Sequence, residues 1–323
     1  MSDIAIGIDV GGTKALALVM RSDGEVLDEL KAATPHETTH QAGEATAIVL
    51  GELVECLAKR HDLDVRATPV GVGLPGLLKK DGRLAYAPNL QSASGADVGA
   101  LLRRALASVH VVCENDANCA ALAEHAWGAG RGVDDFVMVT LGTGIGGGII
   151  ADGALLRGRS GFAGEIGHMV VDAHGIPCTC GGMGCWERYA SGSGLRRLIH
   201  EAAKEGRLAT LLDTHGSADD IRPEDVTLAA NDGNEEAIDL LRQVGWWLAL
   251  GLSNLAVILD AGHFVIGGGL SSASELVLPF ARDYLSSLVE GYESRPPITV
   301  TSSAFGPRSG AMGAALVAFE RNG

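Results

Sequence analysis

The chain has 323 residues, including 45 glycines and few aromatics, which indicates an ordered α/β protein large enough for two domains and excludes a disordered one. Its 25 basic and 40 acidic residues give a net charge of −15, which argues against a nucleic acid or an acidic membrane as partner. An anionic nucleotide is not excluded, because backbone N–H groups and Mg²⁺ can hold phosphates in place of lysines.

The start of the chain has the pattern of a strand rather than of a targeting segment. It contains Asp3 and has neither a basic region nor a cleavage site. The longest apolar stretch, residues 244–259, is too short to span a bilayer comfortably and includes Ser253 and Asn254, so it predicts a buried helix. Together with cysteines that are expected to be reduced, these features predict a cytoplasmic protein.

The first part of the chain alternates strands, glycine turns and helices. It opens with a predicted hairpin, in which strands at residues 4–9 and 15–20 flank a glycine-rich turn at 10–14. The elements predicted next are a strand at 25–32, a helix at 42–61, a strand at 70–73, a helix at 99–107, a strand at 110–114 and a helix at 119–127.

The pattern then repeats. A strand at 136–141, a glycine-rich turn at 142–147 and a return strand at 148–151 resemble the opening hairpin. The later predicted elements are a helix at 188–205, an irregular segment at 206–223, a long helix at 235–259, a strand at 263–266 that ends in three glycines, a strand at 298–302 and a helix at 310–321. This order predicts two α/β lobes with a ligand cleft between them.

One imidazole and three thiols lie within eighteen residues, at His168, Cys178, Cys180 and Cys185. Three thiolates and one imidazole nitrogen complete a tetrahedral zinc shell, and the glycines between the cysteines let the backbone turn sharply enough to bring the sulfurs together. Free thiols beside an unrelated histidine are one alternative, and a disulfide that leaves one thiol over is another. The density of cysteines favours a metal. The sequence leaves open which nitrogen of His168 binds it.

The two glycine-rich turns are candidates for phosphate binding. No P-loop motif is present, and the Gly142-x-Gly144-x-x-Gly147 match to a dinucleotide fingerprint is followed by a strand, not by the helix that a Rossmann unit requires. Two hairpin turns could instead offer backbone N–H groups and the hydroxyls of Thr13 and Thr143 to phosphates. Asp9 could hold Mg²⁺ through water. The alternative is that both turns are ordinary tight hairpins.

Asp116 lies where a strand ends and a helix begins, and a carboxylate at this position has two possible roles. A carboxylate at such a junction is often a helix cap. In phosphoryl transfer, an aspartate at this place can accept the proton of an attacking hydroxyl, and we favour this second role.

Further polar residues could bind a polyol, because their side chains can each contact two hydroxyl groups. These residues are Asn89, Asn115, Asp116, Glu165, His168 and Glu187. Taken singly, each could be a solvated loop residue. Taken together, they give Glu165 and Glu187 a role beside a zinc shell that is complete without them.

These motifs resemble those of the ROK family, a group of repressors and sugar kinases. Residues 9–14 resemble its first phosphate motif, residues 114–118 its catalytic motif and residues 141–148 its second phosphate loop. The Glu165-x-Gly167-His168 segment with the following C-x-C-G-x-x-G-C-x-E is similar to its zinc signature, and residues 267–269 resemble its adenosine motif. The resemblance covers essentially the whole chain. Within the family, residues 185–192 look most similar to the actinobacterial type of glucokinase.

The resemblance implies a two-lobe, actin-like ATPase (ribonuclease H-like) fold with the ligand cleft between the lobes. The lobes are expected at residues 1–116, completed by the helix 306–323, and at residues 117–305, which carry the zinc loop. It implies transfer of the γ-phosphoryl group of Mg²⁺-ATP to the 6-hydroxyl of a hexose, with glucose phosphorylated to glucose 6-phosphate. A homodimer or homotetramer is also expected.

Roles for individual residues follow from the same resemblance. Asp116 is the expected catalytic base, and structural Zn²⁺ is expected on His168, Cys178, Cys180 and Cys185. The expected substrate-binding residues are Gly76, Asn89, Asn115, Asp116, Glu165, His168 and Glu187. The expected nucleotide-binding residues are Asp9, Gly11, Gly12, Thr13, Lys14, Thr143, Gly144, Gly267, Gly268 and Gly269.

Other functions are weighed against glucose phosphorylation. N-acetylglucosamine, N-acetylmannosamine, mannose or fructose could be the substrate, since the catalytic parts would be identical, and polyphosphate could be the donor. A sugar-sensing regulator is less favoured, because only eight residues precede Asp9 and leave no room for a helix-turn-helix. One departure from the family concerns the sugar pocket: residues 90–94 lack the aromatic residue that often follows the Pro88-Asn89 pair.

Overall fold

The computed structural model describes residues 3–35, 42–269 and 271–322. The chain divides into two compact units, which are described separately. The first comprises Met1–Asp134, Gly148–Gly164 and Pro307–Gly323, and the second comprises Asp135–Gly147 and Glu165–Gly306. The boundary predicted from the sequence lies at residue 116, whereas this division keeps residues 117–134 in the first unit. The reason is that the helix that starts at Asp116 packs against the C-terminal helix.

The strands, in chain order, are β1 Ile4–Val10, β2 Lys14–Arg21, β3 Val26–Ala33, β4 Val70–Leu74, β5 Leu77–Leu78, β6 Leu84–Tyr86, β7 Val111–Asn115, β8 Phe136–Leu141, β9 Ile145–Ala151, β10 Ala154–Leu155, β11 His263–Gly267 and β12 Thr299–Ser302. The α-helices are α1 Glu44–Arg60, α2 Val98–Ala105, α3 Asp116–Trp127, α4 Glu187–Ala190, α5 Gly192–Lys204, α6 Ala209–His215, α7 Pro223–Asn231, α8 Glu235–Leu259, α9 Ser271–Leu288 and α10 Ser309–Asn322. Short 3₁₀ helices lie at Gln91–Ala93, Ile166–His168, Tyr292–Ser294 and Gly306–Arg308.

In the first unit, a mixed sheet runs in the order β3-β2-β1-β4-β7. Alternate residues of β1 face opposite sides, as the pleat requires. Ile6 and Ile8 belong to a buried apolar cluster that also contains side chains of α1 and α2. On the other side, a Cβ at Gly7 or Gly71 would overlap backbone atoms of α10. Only glycine therefore permits α10 to approach the sheet this closely.

The parallel register of this sheet places two acidic residues at the same level, with one strand between them, at the carboxyl ends of the strands. Asp9 of β1 pairs with Gly73 of β4, and Gly73 pairs in turn with Glu114 of β7. Because the carboxyl ends of parallel strands meet at one edge of a sheet, Asp9 lies close to the residues that begin α3. This register positions one part of the candidate site.

The second sheet runs in the order β10-β9-β8-β11-β12, and β8, β11 and β12 are parallel. The division between the units falls within β9, so β10 is counted with the first unit. In the second unit the long helix α8 packs on α4, α5, α7 and α9. Both units combine a sheet with packed helices, which confirms the predicted α/β class. Among the described residues, no helix combines the length and apolarity that a bilayer crossing requires.

Several local predictions are corrected. The segment 206–223, expected to be irregular, contains α6. Helix α9 was not predicted, and it contains Pro279, where a helix would be expected to end. The single helix expected at 188–205 is two helices separated by Ser191. This residue is extended, and its side chain caps α5.

Candidate active-site residues

The four predicted metal ligands converge in the second unit. The ligand atoms of His168, Cys178, Cys180 and Cys185 all lie within 4.8 Å of one another. The sulfurs of Cys180 and Cys185 are 3.6 Å apart, and the sulfur of Cys178 is 3.8 Å from Nδ1 of His168. All six cysteines of the chain are free thiols, which is evidence against the disulfide alternative.

Glycines and backbone hydrogen bonds shape the loop that carries these thiols. The N–H of Cys178 donates to the carbonyl of Gly182 at 2.9 Å, and the N–H of Gly181 donates to the carbonyl of Cys178 at 3.0 Å. Gly181 has φ +91° and Gly184 has φ +68°, a conformation that other residues adopt only with strain. A Cβ at Gly184 would also overlap the carbonyl of Asp172. The loop is thus folded so that three sulfurs point toward one centre.

The arrangement fits a tetrahedral zinc ion. With Zn–S bonds of about 2.3 Å, two sulfurs of a tetrahedron lie about 3.8 Å apart, close to the 3.6 Å between the sulfurs of Cys180 and Cys185. The imidazole nitrogen on the thiol side is Nδ1. Since the two ring nitrogens lie on different edges of the ring, Nε2 remains for a second ligand.

Glu187 lies beside both the thiols and the second glycine turn. Its Oε1 is 3.1 Å from the sulfur of Cys178 and 3.8 Å from Nδ1 of His168. A Cβ at Gly144 would overlap Oε2 of Glu187, so the carboxylate lies directly against the backbone of the turn. Burial raises the pKa of Glu165. The nearby Glu187 carboxylate raises this pKa further, whereas His168 lowers it. Within this unit, the sugar-binding candidates, the metal ligands and the turn are therefore contiguous.

The position of Glu187 is fixed by the residue that precedes it. The indole of Trp186 is fully buried, and its Nε1 donates to the carbonyl of Trp247 at 2.7 Å. A Cβ at Gly251 of α8 would overlap the indole ring, so the ring lies directly against the helix backbone. Burial of a large aromatic side chain thus anchors the end of the metal loop to α8.

Ser191, which is not among the predicted site residues, links the second turn to Glu187. This buried hydroxyl contacts the carbonyl oxygens of Thr143 and Glu187. Beside it, the N–H of Gly192 donates to the carbonyl of Gly142 at 2.9 Å. The signal that could have found this residue is local: a serine followed by glycine is a good helix N-cap.

The three-glycine motif lies next to the same turn. Gly268 has φ +98°, and a Cβ there would overlap backbone atoms of Leu141, the residue that precedes Gly142. A Cβ at Gly267 would lie 2.7 Å from Cε of Met138 and 2.9 Å from Oγ of Ser303. The predicted adenosine motif and the predicted second phosphate turn are thus in contact, with Gly269 following directly.

The first glycine turn belongs to the first unit and contacts Asn89. The N–H of Gly11 donates to the carbonyl of Lys14 at 3.0 Å, which closes the turn. Thr13 and Lys14 are exposed on it. A Cβ at Gly12 would lie 3.3 Å from the carbonyl oxygen of Asn89. A predicted phosphate-binding residue and a predicted sugar-binding residue are therefore neighbours.

Asp9 lies at the end of β1, against the start of α10. A Cβ at Gly310 would lie 2.7 Å from Cγ of Asp9, so the carboxylate approaches the first turn of that helix. Loss of hydration raises the pKa of Asp9 from 3.8 to about 7. A carboxylate is the type of ligand that Mg²⁺ prefers, and a divalent cation would stabilise its ionised form. The residue present thus fits a role in holding Mg²⁺.

The corner between β7 and α3 carries Asn115 and Asp116. Asn115, and not Asp116, caps the helix: its Oδ1 accepts from the N–H of Asn118 at 3.0 Å, and its Nδ2 donates to the carbonyl of Gly76 at 3.2 Å. Asp116 is the first helical residue, and its Oδ1 accepts from the N–H of Ala117 at 2.8 Å. Asn115 is therefore the N-cap residue, and Asp116 accepts a hydrogen bond from one further N–H group of the first turn.

The carboxylates of this unit surround one buried thiol. Burial raises the pKa of Cys119 well above its usual value, and the charges of Glu114, Asp9 and Asp116 raise it further. A thiol held neutral in this way is neither a nucleophile nor a metal ligand. Asp9 pairs with Gly73, and a Cβ at Gly73 would lie 3.3 Å from Cα of Asp116, so Asp9 and Asp116 lie in one neighbourhood.

A model of the ROK family matches residues 5–321 of this chain. The chain is 36% identical to a glucokinase of Streptomyces coelicolor over 98% of both sequences. It is 31% identical to an N-acetylmannosamine kinase of Escherichia coli O157:H7 over 97% of both.

Among solved structures, the chain is similar to a ROK family glucokinase from Streptomyces griseus in complex with glucose and AMPPNP. The TM-score is 0.88 and the identity 37%, and the alignment covers 99% of this chain and 100% of the other. Similarity over the whole length of a solved sugar kinase confirms the fold that the sequence motifs imply.

Proposed function

Because this chain belongs to the ROK family, we propose that it is an ATP-dependent glucokinase that phosphorylates the 6-hydroxyl of glucose. The observation that carries the proposal is the full-length similarity to a kinase whose structure holds glucose and an ATP analogue. The described geometry adds support, since each unit brings its own share of the predicted site residues together.

In the proposed reaction, the carboxylate of Asp116 accepts the proton of the 6-hydroxyl group. The hydroxyl oxygen forms a bond to the γ-phosphorus, the bond from that phosphorus to the bridging oxygen of ADP breaks, and ADP leaves. Since little covalent chemistry falls to the protein in phosphoryl transfer, orientation of the two substrates supplies most of the catalysis.

We assign the phosphates of ATP to the two glycine turns. Gly11, Gly12 and Thr13 in one unit and Thr143 and Gly144 in the other offer backbone N–H groups and threonine hydroxyls. Lys14 adds a positive charge, and Gly267, Gly268 and Gly269 are assigned to the adenosine. Asp9 would hold Mg²⁺, through water, and the ion supplies neutralisation of the phosphate charge. Donors of this kind let a chain of net charge −15 bind a polyanion.

We assign the sugar to Gly76, Asn89, Asn115, Glu165, His168 and Glu187, together with Asp116. His168 would bind Zn²⁺ through Nδ1 and a sugar hydroxyl through Nε2. Zinc on His168, Cys178, Cys180 and Cys185 would be structural, because a shell of four protein ligands leaves no open position for a substrate. The zinc ion would fix the loop that ends at Cys185 and would thereby position Glu187, two residues further along the chain.

A coupled assay of ADP release across a panel of hexoses tests the proposal. We expect the highest kcat/KM with glucose and ATP, and no turnover when polyphosphate replaces ATP. If no hexose supports ADP release above the rate without sugar, the proposal is wrong.

The runner-up function is a kinase for N-acetylmannosamine. Its support is the similarity to a kinase of that name over nearly the full length of both chains. The panel therefore includes N-acetylmannosamine, N-acetylglucosamine, mannose and fructose. A kcat/KM for any of them above that for glucose would replace the first assignment. We further propose a homodimer or homotetramer, which light scattering after gel filtration would detect.

A further inference from the structure

A buried carboxylate, Glu114, lies two residues before the proposed base, Asp116. The side chain of Glu114 is 7% exposed, and its two oxygens contact different groups. Oε1 accepts from the N–H of Asn115 at 3.0 Å and from Nδ2 of Asn118 at 3.2 Å. Oε2 accepts from Nε of Arg157 at 2.7 Å. Glu114 therefore binds the β7–α3 corner with one oxygen and a distant residue with the other.

Arg157 supplies the positive charge that this carboxylate needs. An ionised carboxylate in an apolar interior is costly unless a cation and hydrogen bonds compensate it. Arg157 lies 43 residues further along the chain, just after β10. The guanidinium group donates from a planar, fixed geometry, so the contact restricts direction as well as distance.

The loop that carries Arg157 is itself held in place. The N–H of Ala163 donates to the carbonyl of Arg157 at 3.3 Å, which closes the loop on itself. The N–H of Lys80 donates to the carbonyl of Ser160 at 3.3 Å, and a Cβ at Gly161 would lie 2.6 Å from the carbonyl oxygen of Leu78. The loop is thus anchored to β5.

Strand β5 also connects to the corner by a second route. Gly76, the residue before β5, accepts the hydrogen bond from Nδ2 of Asn115. The β7–α3 corner is therefore connected to the Arg157 loop in two ways. One connection runs from Asn115 through Gly76 and β5, and the other is the ion pair between Glu114 and Arg157. All of these residues belong to the first unit.

We propose that Arg157 is a positioning residue for phosphoryl transfer, which acts through Glu114 to orient the β7–α3 corner and therefore the carboxylate of Asp116. This inference rests on the proposed kinase function. It assigns Arg157 no contact with either substrate. A proton acceptor displaced by a fraction of an ångström is less effective, although the substrates still bind.

The test compares four variants with a matched control in the same loop. Arg157→Met removes the cation and keeps the length of the side chain, whereas Arg157→Lys keeps the charge but loses the planar donor. Glu114→Gln keeps an oxygen for the corner. The double variant Glu114→Gln/Arg157→Met leaves no unpaired buried charge, so it folds even if Arg157→Met does not. The control is Arg159→Met, at an exposed arginine two residues away.

For each protein we would measure kcat, the KM for glucose and the dissociation constant for glucose at a temperature well below its melting temperature. The thermal midpoint of unfolding would be measured separately. We expect Arg157→Met to lower kcat about 10- to 100-fold and to change glucose binding by less than about threefold. Arg157→Lys should recover part of kcat. The kcat of the double variant should be no lower than that of the more impaired single variant, because Glu114 and Arg157 act through one shared interaction.

Other outcomes would overturn the inference. If Arg157→Met and the double variant keep kcat within about twofold of wild type and lose only thermal stability, the ion pair is structural alone. The inference would also be contradicted if the fold-losses in kcat of the two single variants multiplied in the double variant. A loss of kcat in Arg159→Met as large as that in Arg157→Met would contradict it as well. Inactivity of the wild-type protein toward every hexose would refute the proposed function and this inference together, whereas an active wild type with unaffected variants refutes the inference alone.

Discussion

Two carboxylates proposed to contact the sugar, Asp116 and Glu187, are held in place by different means. Asp116 follows a buried strand directly and begins a helix that Asn115 caps, so regular secondary structure sets its position. Glu187 follows a loop that is shaped by glycines and carries three of the four candidate metal ligands, and the buried indole of Trp186 anchors that loop to α8. The first arrangement needs no ligand. The second includes four candidate ligands that we expect a metal ion to hold together. The two regions should therefore fail under different perturbations.

The largest expected effect is at the corner. Asp116→Asn should lower kcat roughly 10²- to 10⁴-fold while glucose still binds, because the proton acceptor is lost and most contacts with the sugar remain. Steady-state kinetics and calorimetric titration with glucose would measure both quantities. Asp81→Asn, at an exposed turn, serves as the control. A loss below about tenfold would mean that Asp116 is not the base.

A second change addresses the metal loop and should leave the corner intact. Cys180→Ser should abolish tight binding of one zinc ion per chain and raise the KM for glucose by about tenfold or more, since loop order depends on the metal. Elemental analysis of protein purified in metal-free reducing buffer gives the zinc content. Cys56→Ser, at an exposed thiol outside the cluster, is the control. Wild-type protein without zinc, or an unchanged KM in Cys180→Ser, would contradict this role.

A third prediction concerns pH and Asp9. An unperturbed aspartate has a pKa of 3.8, whereas the pKa of Asp9 in the folded protein is about 7. Between pH 3.8 and pH 7, the folded state therefore binds a proton at Asp9 that the unfolded state has released. Without nucleotide or Mg²⁺, the stability contributed by this group is fully present below pH 3.8 and is lost as the pH rises through 7. Asn at position 9 stays neutral, so Asp9→Asn should be more stable than wild type at pH 8 by roughly 2–4 kcal/mol.

Urea unfolding of both proteins between pH 5 and 8 measures this difference. The advantage of Asp9→Asn should shrink steadily as the pH falls, and Mg²⁺-ATP should reduce it at pH 8 by stabilising the ionised wild-type carboxylate. Two stability curves that remain parallel across this range would mean that Asp9 titrates normally in the folded protein.

The smallest effect is expected at Ser191, which joins the second phosphate turn to Glu187. Ser191→Ala removes the cap of α5 and the contact with Thr143, so it should cost about 1 kcal/mol of stability. It should also lower kcat/KM for ATP by a factor of about 3–10. Thermal unfolding and kinetics would measure both, with Ser160→Ala as an exposed control. An unchanged kcat/KM would mean that the turn holds its shape without this hydroxyl.

The sequence predicted best the features that depend on neighbouring residues. The candidate metal ligands lie within eighteen residues, and the density of cysteines there favours a metal site, which agrees with their convergence in the structure. The hairpins at Gly11 and Gly142 follow from glycines between apolar runs, and the long helix α8 agrees with its predicted range. In each case the information is local, so it can be read without knowledge of the fold.

The features that the sequence did not reveal depend on contacts between distant segments. Glu114 and Arg157 are 43 positions apart, and only the sheet register and the loop after β10 bring them together. Helix α9 continues through Pro279 because packing on α8 overrides the local preference of proline. The break at Ser191 was missed because apolar residues recur on both sides of it at helical spacing.

The close approach of α10 to Gly7 and Gly71 has a consequence for synthesis on the ribosome. The strands that this helix covers are among the first to be translated, whereas the helix itself, residues 309–322, comes after the whole second unit. All residues of the second unit are therefore available for folding while one face of the earlier sheet is still bare. The nascent chain must keep that face from aggregating until the helix emerges.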